Sequence, residues 1–385
     1  MLVDLEFLCD EIIDCPHSTP QWQKCGFIVL RNYNLENNKI NDTNLSFVTK
    51  EEYVNRTKRA APTYQDIVFS REAPIGACAM IPENYTCCLG QRLVLLRANK
   101  TICNPLFLLY ALQSDVVKKQ IGIFENRGST VSNLNIGDLK KLQVPYTMDI
   151  DKQSKIANIL FDIDTQLERN NNIIKRLQVL AQTTYSRWFN QFEYPDNNKE
   201  MVFNNQLSKE IPTTFSVKSL GDIIVESKKS TVQVGEARLH NGNYPFFTSG
   251  VEILPYQDYF VDGAYCFLNT GGNADVKFYE GKSAYSTDTW CLSAKEYSYW
   301  LYLYLENIKL NMDQLFFSGS GLKHLKKDVF KKQIVCLPNK ELIEQFNLIV
   351  SKLFKYQSKI IQENKELIAL KEKMLPLLIN GQLNI

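Results

Sequence analysis

From about residue 153 to 190 the chain places Leu160, Ile163, Leu167, Asn170, Ile174, Leu177 and Ala181 at alternating steps of three and four. From about 341 to 380 it does so again with Leu353, Tyr356, Ile360, Glu363, Leu367, Leu370 and Met374. A 3.5-residue apolar repeat is the seam of a coiled-coil helix. Each run predicts a helix of roughly 55 to 60 Å at about 1.5 Å per residue, longer than the face of one domain needs, so the two helices are expected to pack on each other. Asn170 and Glu363 put a polar residue at the equivalent seam position of each, a device that fixes register at some cost in stability. Pro376 is tolerated near the end of the second helix, and Asn380-Gly381 is a reasonable stop.

The segments ahead of these helices carry strand patterns. "DIVFS" (66–70) and "QRLVLLR" (91–97) are apolar, β-branched runs bounded by turn residues, followed by the helical "PLFLLYALQSDVVKKQI". In the second half, "GAYCFLNTGGNADVKFYEGKSAYSTDTWCLS" holds three strand candidates punctuated by Gly-Gly-Asn and Glu-Gly-Lys, followed by the helical "YSYWLYLYLENIK". The predicted fold is α+β: a strand-rich domain at 1–148, a helix at 149–193, a polar linker at 194–212, a second strand-rich domain at 213–338 and a helix at 339–385.

The two halves also share a phrase. "ENRGSTVSNLNIGDLKKLQVP" begins at Glu125 and "FSGSGLKHLKKDVFKKQIVCLP" at Phe317; each sets a Gly-Ser pair, a polar stretch, a Lys pair and a Pro in the same order. An offset of 193 carries Pro145 onto Pro338 and Leu160-Phe161 onto Leu353-Phe354, so the register persists into the helices. One module is written twice.

With 385 residues, 44% hydrophobic, 22% charged and a net charge of +2, the chain has room for two or three domains and no general attraction for polyanions. Nucleic-acid binding must come from local patches. Ten scattered cysteines form no CxxC spacing, and three histidines (His17, His240, His324) supply neither a helical metal pair nor a catalytic triad, so no metal site is expected. The acidic N-terminal segment and the lack of a membrane-length apolar run lead to a cytoplasmic expectation. "FFSGSG" (316–321) matches an S-adenosylmethionine pattern, but no Pro-Pro-Tyr motif accompanies it, and "EGKS" (280–283) lacks the Walker glycine because position 276 is Val. No catalytic residue is assigned.

Two features point to binding. A Gly-Ser turn feeding a helix offers backbone N–H groups to phosphate, with Lys323 and Lys326 as counter-charge. "FSREAPIG" (69–76) takes a strand into Arg71, which could meet a base edge or phosphate, although a surface ion pair is the plainer role for such a residue. "FLNTGGNA" (267–274) leaves a strand in the same way with Thr270, Gly272 and Asn273.

These residues resemble the DNA-specificity subunits of Type I restriction-modification systems. The phrases that carry the likeness are "DCPHSTPQW" (14–22), "FSREAPIG", "YPFFTSG" (244–250), "NTGGNADVKFYEGKSAYSTDT" (269–289), "GSGLKHL" and "LPLLINGQL" (375–383). The resemblance implies two tandem target-recognition domains, each followed by a long helix, with the helices packed as an antiparallel coiled coil that spaces the domains. It implies a bipartite, asymmetric site on double-stranded DNA, two adenine methyltransferase subunits carrying S-adenosylmethionine, a restriction and motor subunit, and no cofactor in this chain. A paired helical segment of about 28 residues would span ~42 Å, about 12 base pairs, and so set the distance between half-sites. The candidate DNA-contacting residues are Ser70, Arg71, Gly128, Ser129, Thr130, Asn133, Thr270, Gly272, Asn273, Ser320, Lys323, His324 and Lys326. The alternatives are a self-contained S-adenosylmethionine-dependent methyltransferase built on "FFSGSG" and a coiled-coil scaffold that binds no DNA.

Overall fold

The computed structural model describes residues 1–125, 133–195, 200–240, 242–319, 321 and 323–383. The chain divides into two compact units: Met1–Arg169 with Glu363–Ile385, and Asn170–Gln362. The divisions fall inside the long helices, not at the expected boundaries near 148 and 338. The reason is packing: each end of each long helix is buried in the core of a strand-rich domain.

In unit 1, Leu93–Ala98 lies between Cys9–Asp14 and Ile67–Ser70, and Cys78–Met80 completes a four-stranded antiparallel sheet. A three-stranded sheet sets Phe27–Leu30 antiparallel to Ser46–Val48 and parallel to Cys87–Leu89. Leu2–Asp4 closes the domain by pairing with Gln143–Pro145. The helix Pro105–Ala111 starts where Asn104 accepts hydrogen bonds from the Leu106 and Phe107 amides and Pro105 presets the first turn. Phe69, Leu96, Phe107 and Leu108 form the core with Ile156, Ala157 and Leu160 of the helix Ile150–Tyr185 and with Leu378 and Ile379 of the helix Lys340–Ile379.

Unit 2 repeats the plan. Ser216–Ser219 pairs antiparallel with Ile334–Leu337, the counterpart of the closing pair in unit 1. A six-stranded sheet runs Val225–Glu226, Thr289–Ser293, Val261–Asn269, Val276–Tyr285, Tyr244–Phe247, Ile253–Tyr256, with Tyr244–Phe247 parallel to Val276–Tyr285. The helix Ser298–Leu315 buries Trp300, Leu301 and Leu305 against Tyr185, Trp188 and Phe189 from one long helix and Ile343, Phe346 and Val350 from the other. The segment expected to be a polar linker contains an antiparallel pair of strands, Met201–Asn204 with Lys209–Pro212.

The helices match expectation in place and length, Ile150–Tyr185 extended by a π turn at Ser186–Asn190, and Lys340–Ile379. Their seam is buried only in part. Leu160, Ile163, Asn170 and Ile360 are buried; Leu167, Ile174, Leu177, Leu353 and Leu367 are half-buried. Tyr356, Glu363 and Leu370 are exposed, since this helix draws its burial from the domain cores at its two ends. Within unit 1 the helix segments run in opposite directions: Asp164 pairs with Lys371, and Gln166 reaches Glu363 at 3.5 Å. No helix among the described residues is long and apolar enough to cross a membrane.

Candidate nucleic-acid interface

At one corner of each unit a strand ends in a turn, and the chain downstream of the repeated Gly-Ser phrase returns to pair with it. In unit 1 Glu72 bridges Asn133, the Leu134 amide donates to the Arg71 carbonyl at 3.0 Å, and the Arg71 amide donates to the Arg92 carbonyl at 3.0 Å. In unit 2 Gly271 bridges His324, the Leu325 amide donates to the Thr270 carbonyl at 3.0 Å, and the Thr270 amide donates to the Asp288 carbonyl at 3.1 Å. Arg71 and Thr270 thus hold the same place in one backbone frame, as do Asn133 and His324. Gly272 is at φ +81° while its amide donates to the Lys323 carbonyl at 3.0 Å, so this turn needs a residue without Cβ.

The frame brings Ser70, Arg71 and Asn133 together in unit 1, and Thr270, Gly272, Asn273, Lys323 and His324 together in unit 2. Gly128, Ser129, Thr130 and Ser320 lie outside the described residues. Asn133, Asn273, His324 and Lys326 are exposed. Lys323 is 44% exposed, with its ammonium 3.7 Å from Asp313.

Arg71 is not presented as expected. Its side chain is buried, with Nη1 3.6 Å from Asp14, and the Ser70 hydroxyl, also buried, donates to the Glu72 carbonyl. Both side chains brace the turn from within. The helices within the shared phrase, Ile136–Lys140 and Lys327–Lys332, are too short to offer phosphate a strong dipole. Asn135 caps the first by accepting from the Asp138 amide, and each carries an acid in its first turn, Asp138 or Asp328, which takes up the positive end of the dipole.

The exposed chemistry of the unit 1 corner lies on other residues. Pro20, Trp22, Arg31, Asn32, Gly90, Gln91 and Arg92 line a cleft of about 110 Å³. The Arg31 guanidinium lies 5.2 Å from the centre of the Trp22 ring and 4.9 Å from that of Tyr33, both rings being partly exposed. Asn32 donates to the Ala73 carbonyl, tying the cleft to the Arg71 turn. The Gln91 amide donates to the His17 carbonyl at 2.8 Å and to the Thr19 hydroxyl at 3.1 Å. Arg92 is 49% exposed and meets Glu72 through Nε at 3.3 Å. Local sequence held one signal for these residues: "RNYN" and "GQR" are polar turns directly after apolar strands.

Asp14, Cys15 and His17 place donor atoms within 4.8 Å of one another. Burial pushes the Cys15 thiol up to about 11, and the Arg71 guanidinium beside Asp14 opposes a cation, so the group reads as a polar network around Arg71. Of the "FFSGSG" stretch, Phe317–Ser318 pairs antiparallel with His324–Leu325, whereas a cofactor loop of that pattern would carry a strand straight into a helix.

Two regions of the chain, 16–179 and 212–372, match the family model described as Type I restriction modification DNA specificity domain. Over 351 residues the chain is 26% identical to the Type I restriction enzyme MjaIX specificity subunit of Methanocaldococcus jannaschii, covering 83% of this chain and 78% of that one. A putative type I specificity subunit of Mycoplasma genitalium, S.MgeORF438P, is 26% identical over 146 residues, 38% of this chain and 35% of that protein. In fold, the chain is similar to the crystal structure of the Type-I restriction-modification system S subunit from M. genitalium, with TM-score 0.64, 17% identity, and coverage of 98% of this chain and 95% of that one.

Proposed function

The chain belongs to the Type I restriction modification DNA specificity family, and we propose that it is the non-catalytic, DNA-reading subunit of such a complex, each unit taking one half of a split duplex site. The observation that carries this reading is the duplicated corner: one backbone frame, held by matching hydrogen bonds, bears different side chains in the two units. A protein that recognises two unlike half-sites needs that combination. Two adenine methyltransferase subunits, which carry the S-adenosylmethionine, and a restriction and motor subunit complete the assembly in the cytoplasm, with the long helices as the spacer between half-sites. The antiparallel pairing of Phe317–Ser318 with His324–Leu325 favours this reading over a methyltransferase in its own right.

The test is to map methylated adenines across the host genome with this reading frame intact and deleted. One split, asymmetric motif should disappear on deletion, and an unchanged methylation pattern would refute the assignment. The isolated chain should transfer no methyl group from S-adenosylmethionine; incorporation at the rate of the assembled complex would make it the enzyme instead.

Lys323 and Lys326 fit backbone contacts in unit 2. Replacing either by alanine should weaken binding to all sequences alike and lower the slope of log affinity against log salt by about one unit. Binding titrations at several salt concentrations read this out, and an unchanged slope removes the residue from the phosphate contacts.

A further inference from the structure

The matching backbone bonds extend to a second turn. In unit 1 the Gly90 amide donates to the Leu30 carbonyl at 2.8 Å, just before Gln91 and Arg92; in unit 2 the Ser286 amide donates to the Phe247 carbonyl at 3.0 Å, just before Thr287 and Asp288. The strands that follow begin in the same register, Leu93 opposite Ser70 and Thr289 opposite Asn269. Arg92 and Asp288 are therefore one position in two copies. Both are exposed, and both give their backbone carbonyls to the neighbouring turn.

The charge inverts between them. A position that gripped phosphate would carry a cation in both copies, because the two half-sites offer the same backbone, and Asp288 would repel it. Inversion suits a position that meets base edges, where donors and acceptors differ from pair to pair. Cations for the phosphates stand alongside in each unit: Arg31 between its two aromatic rings in unit 1, Lys323 and Lys326 in unit 2.

We infer that Arg92 and Asp288 are equivalent specificity-determining residues, Arg92 reading a guanine in one half-site and Asp288 accepting from the amino group of a cytosine in the other. The inference rests on the proposed function. In unit 1 Glu72 meets Arg92 at Nε, and among the described residues nothing holds the two terminal nitrogens, the pair that would fork onto guanine O6 and N7. In unit 2 the Asp288 carboxylate likewise has no partner among the described residues, while its carbonyl accepts from both the amide and the hydroxyl of Thr270.

The experiment selects bound duplexes from a random pool with the full chain assembled with its host's modification subunits. Arg92→Ala should lower the preference at one G·C pair of one half-site about tenfold or more and leave the other half unchanged. Arg92→Lys should keep only part of that preference, since an ammonium can still donate to guanine O6 and N7 but without the planar fork. Asp288→Asn should move the preference at one position of the other half toward adenine. Equal loss on all sequences in Arg92→Ala would make position 92 a phosphate contact; unaltered preferences in variants that melt like the wild type would remove both residues from recognition. A wild-type complex that selects no split site would refute the proposed function and this inference with it.

Discussion

Replacing Arg56 by alanine will destabilise unit 1 by about 3 kcal/mol and abolish recognition of one half-site while the other is still read. The side chain is almost fully buried. It donates from Nε and Nη2 to the Leu89 carbonyl at 3.1 and 3.0 Å, from Nη2 to the Pro16 carbonyl at 3.1 Å, and from Nη1 to the Ser18 carbonyl at 3.1 Å, with Glu52 at 3.3 Å. Alanine removes four donated bonds to three carbonyls and leaves Glu52 without its cation, which sets the size of the loss. The same bonds hold two walls of the Trp22–Arg31–Arg92 cleft, because Leu89 leads into Gln91 and Arg92, and the Gln91 side chain is anchored on His17 and Thr19. Hydrogen exchange on the full chain should show lost protection in Phe27–Leu30 and Cys87–Leu89 with Val261–Asn269 unaffected. Unchanged protection in all three strands would mean that Arg56 is dispensable to the fold.

The second large effect is expected at Lys371. Asp164 is buried and accepts from the Tyr110 hydroxyl at 2.8 Å and the Asn38 amide at 3.1 Å, and Lys371, largely buried itself, supplies the balancing charge. Lys371→Met strands a carboxylate among neutral donors, at a cost of about 3 kcal/mol. Combining it with Asp164→Asn removes the charge that caused the penalty, so the double variant should be more stable than Lys371→Met alone. Urea denaturation of the three variants gives the cycle. Additive losses would show that the two side chains do not depend on each other.

Much of this architecture was legible in local pattern. The heptad steps located both long helices within about five residues, and "DIVFS" and "QRLVLLR" became Ile67–Ser70 and Leu93–Ala98. The pairing of Leu2–Asp4 with Gln143–Pro145 was not, because its partners lie far apart in sequence and neither strand is long enough to announce itself. The candidate site divided the same way. The repeated phrase led to Asn133 and His324, which do meet the strand-end turns. Arg71 misled because a strand-end arginine looks exposed until Asp14, distant in sequence, turns it inward. Gln91, Arg92, Thr287 and Asp288 signal themselves only as polar turns after apolar strands, a signal shared with many turns; their equivalence emerges when the hydrogen bonds of the two copies are matched.

The division of the chain inside its helices has a consequence for how it is made and exchanged. Unit 2 is one uninterrupted stretch, Asn170–Gln362, whereas unit 1 is assembled from Met1–Arg169 and Glu363–Ile385. During synthesis unit 2 has all of its residues first, and unit 1 stays short of Leu378 and Ile379, both core residues, until the later stretch emerges. Heredity meets the same asymmetry: one continuous segment of gene, bounded by a position in each long helix, carries all of unit 2, whereas the residues of unit 1 are written in two separate segments.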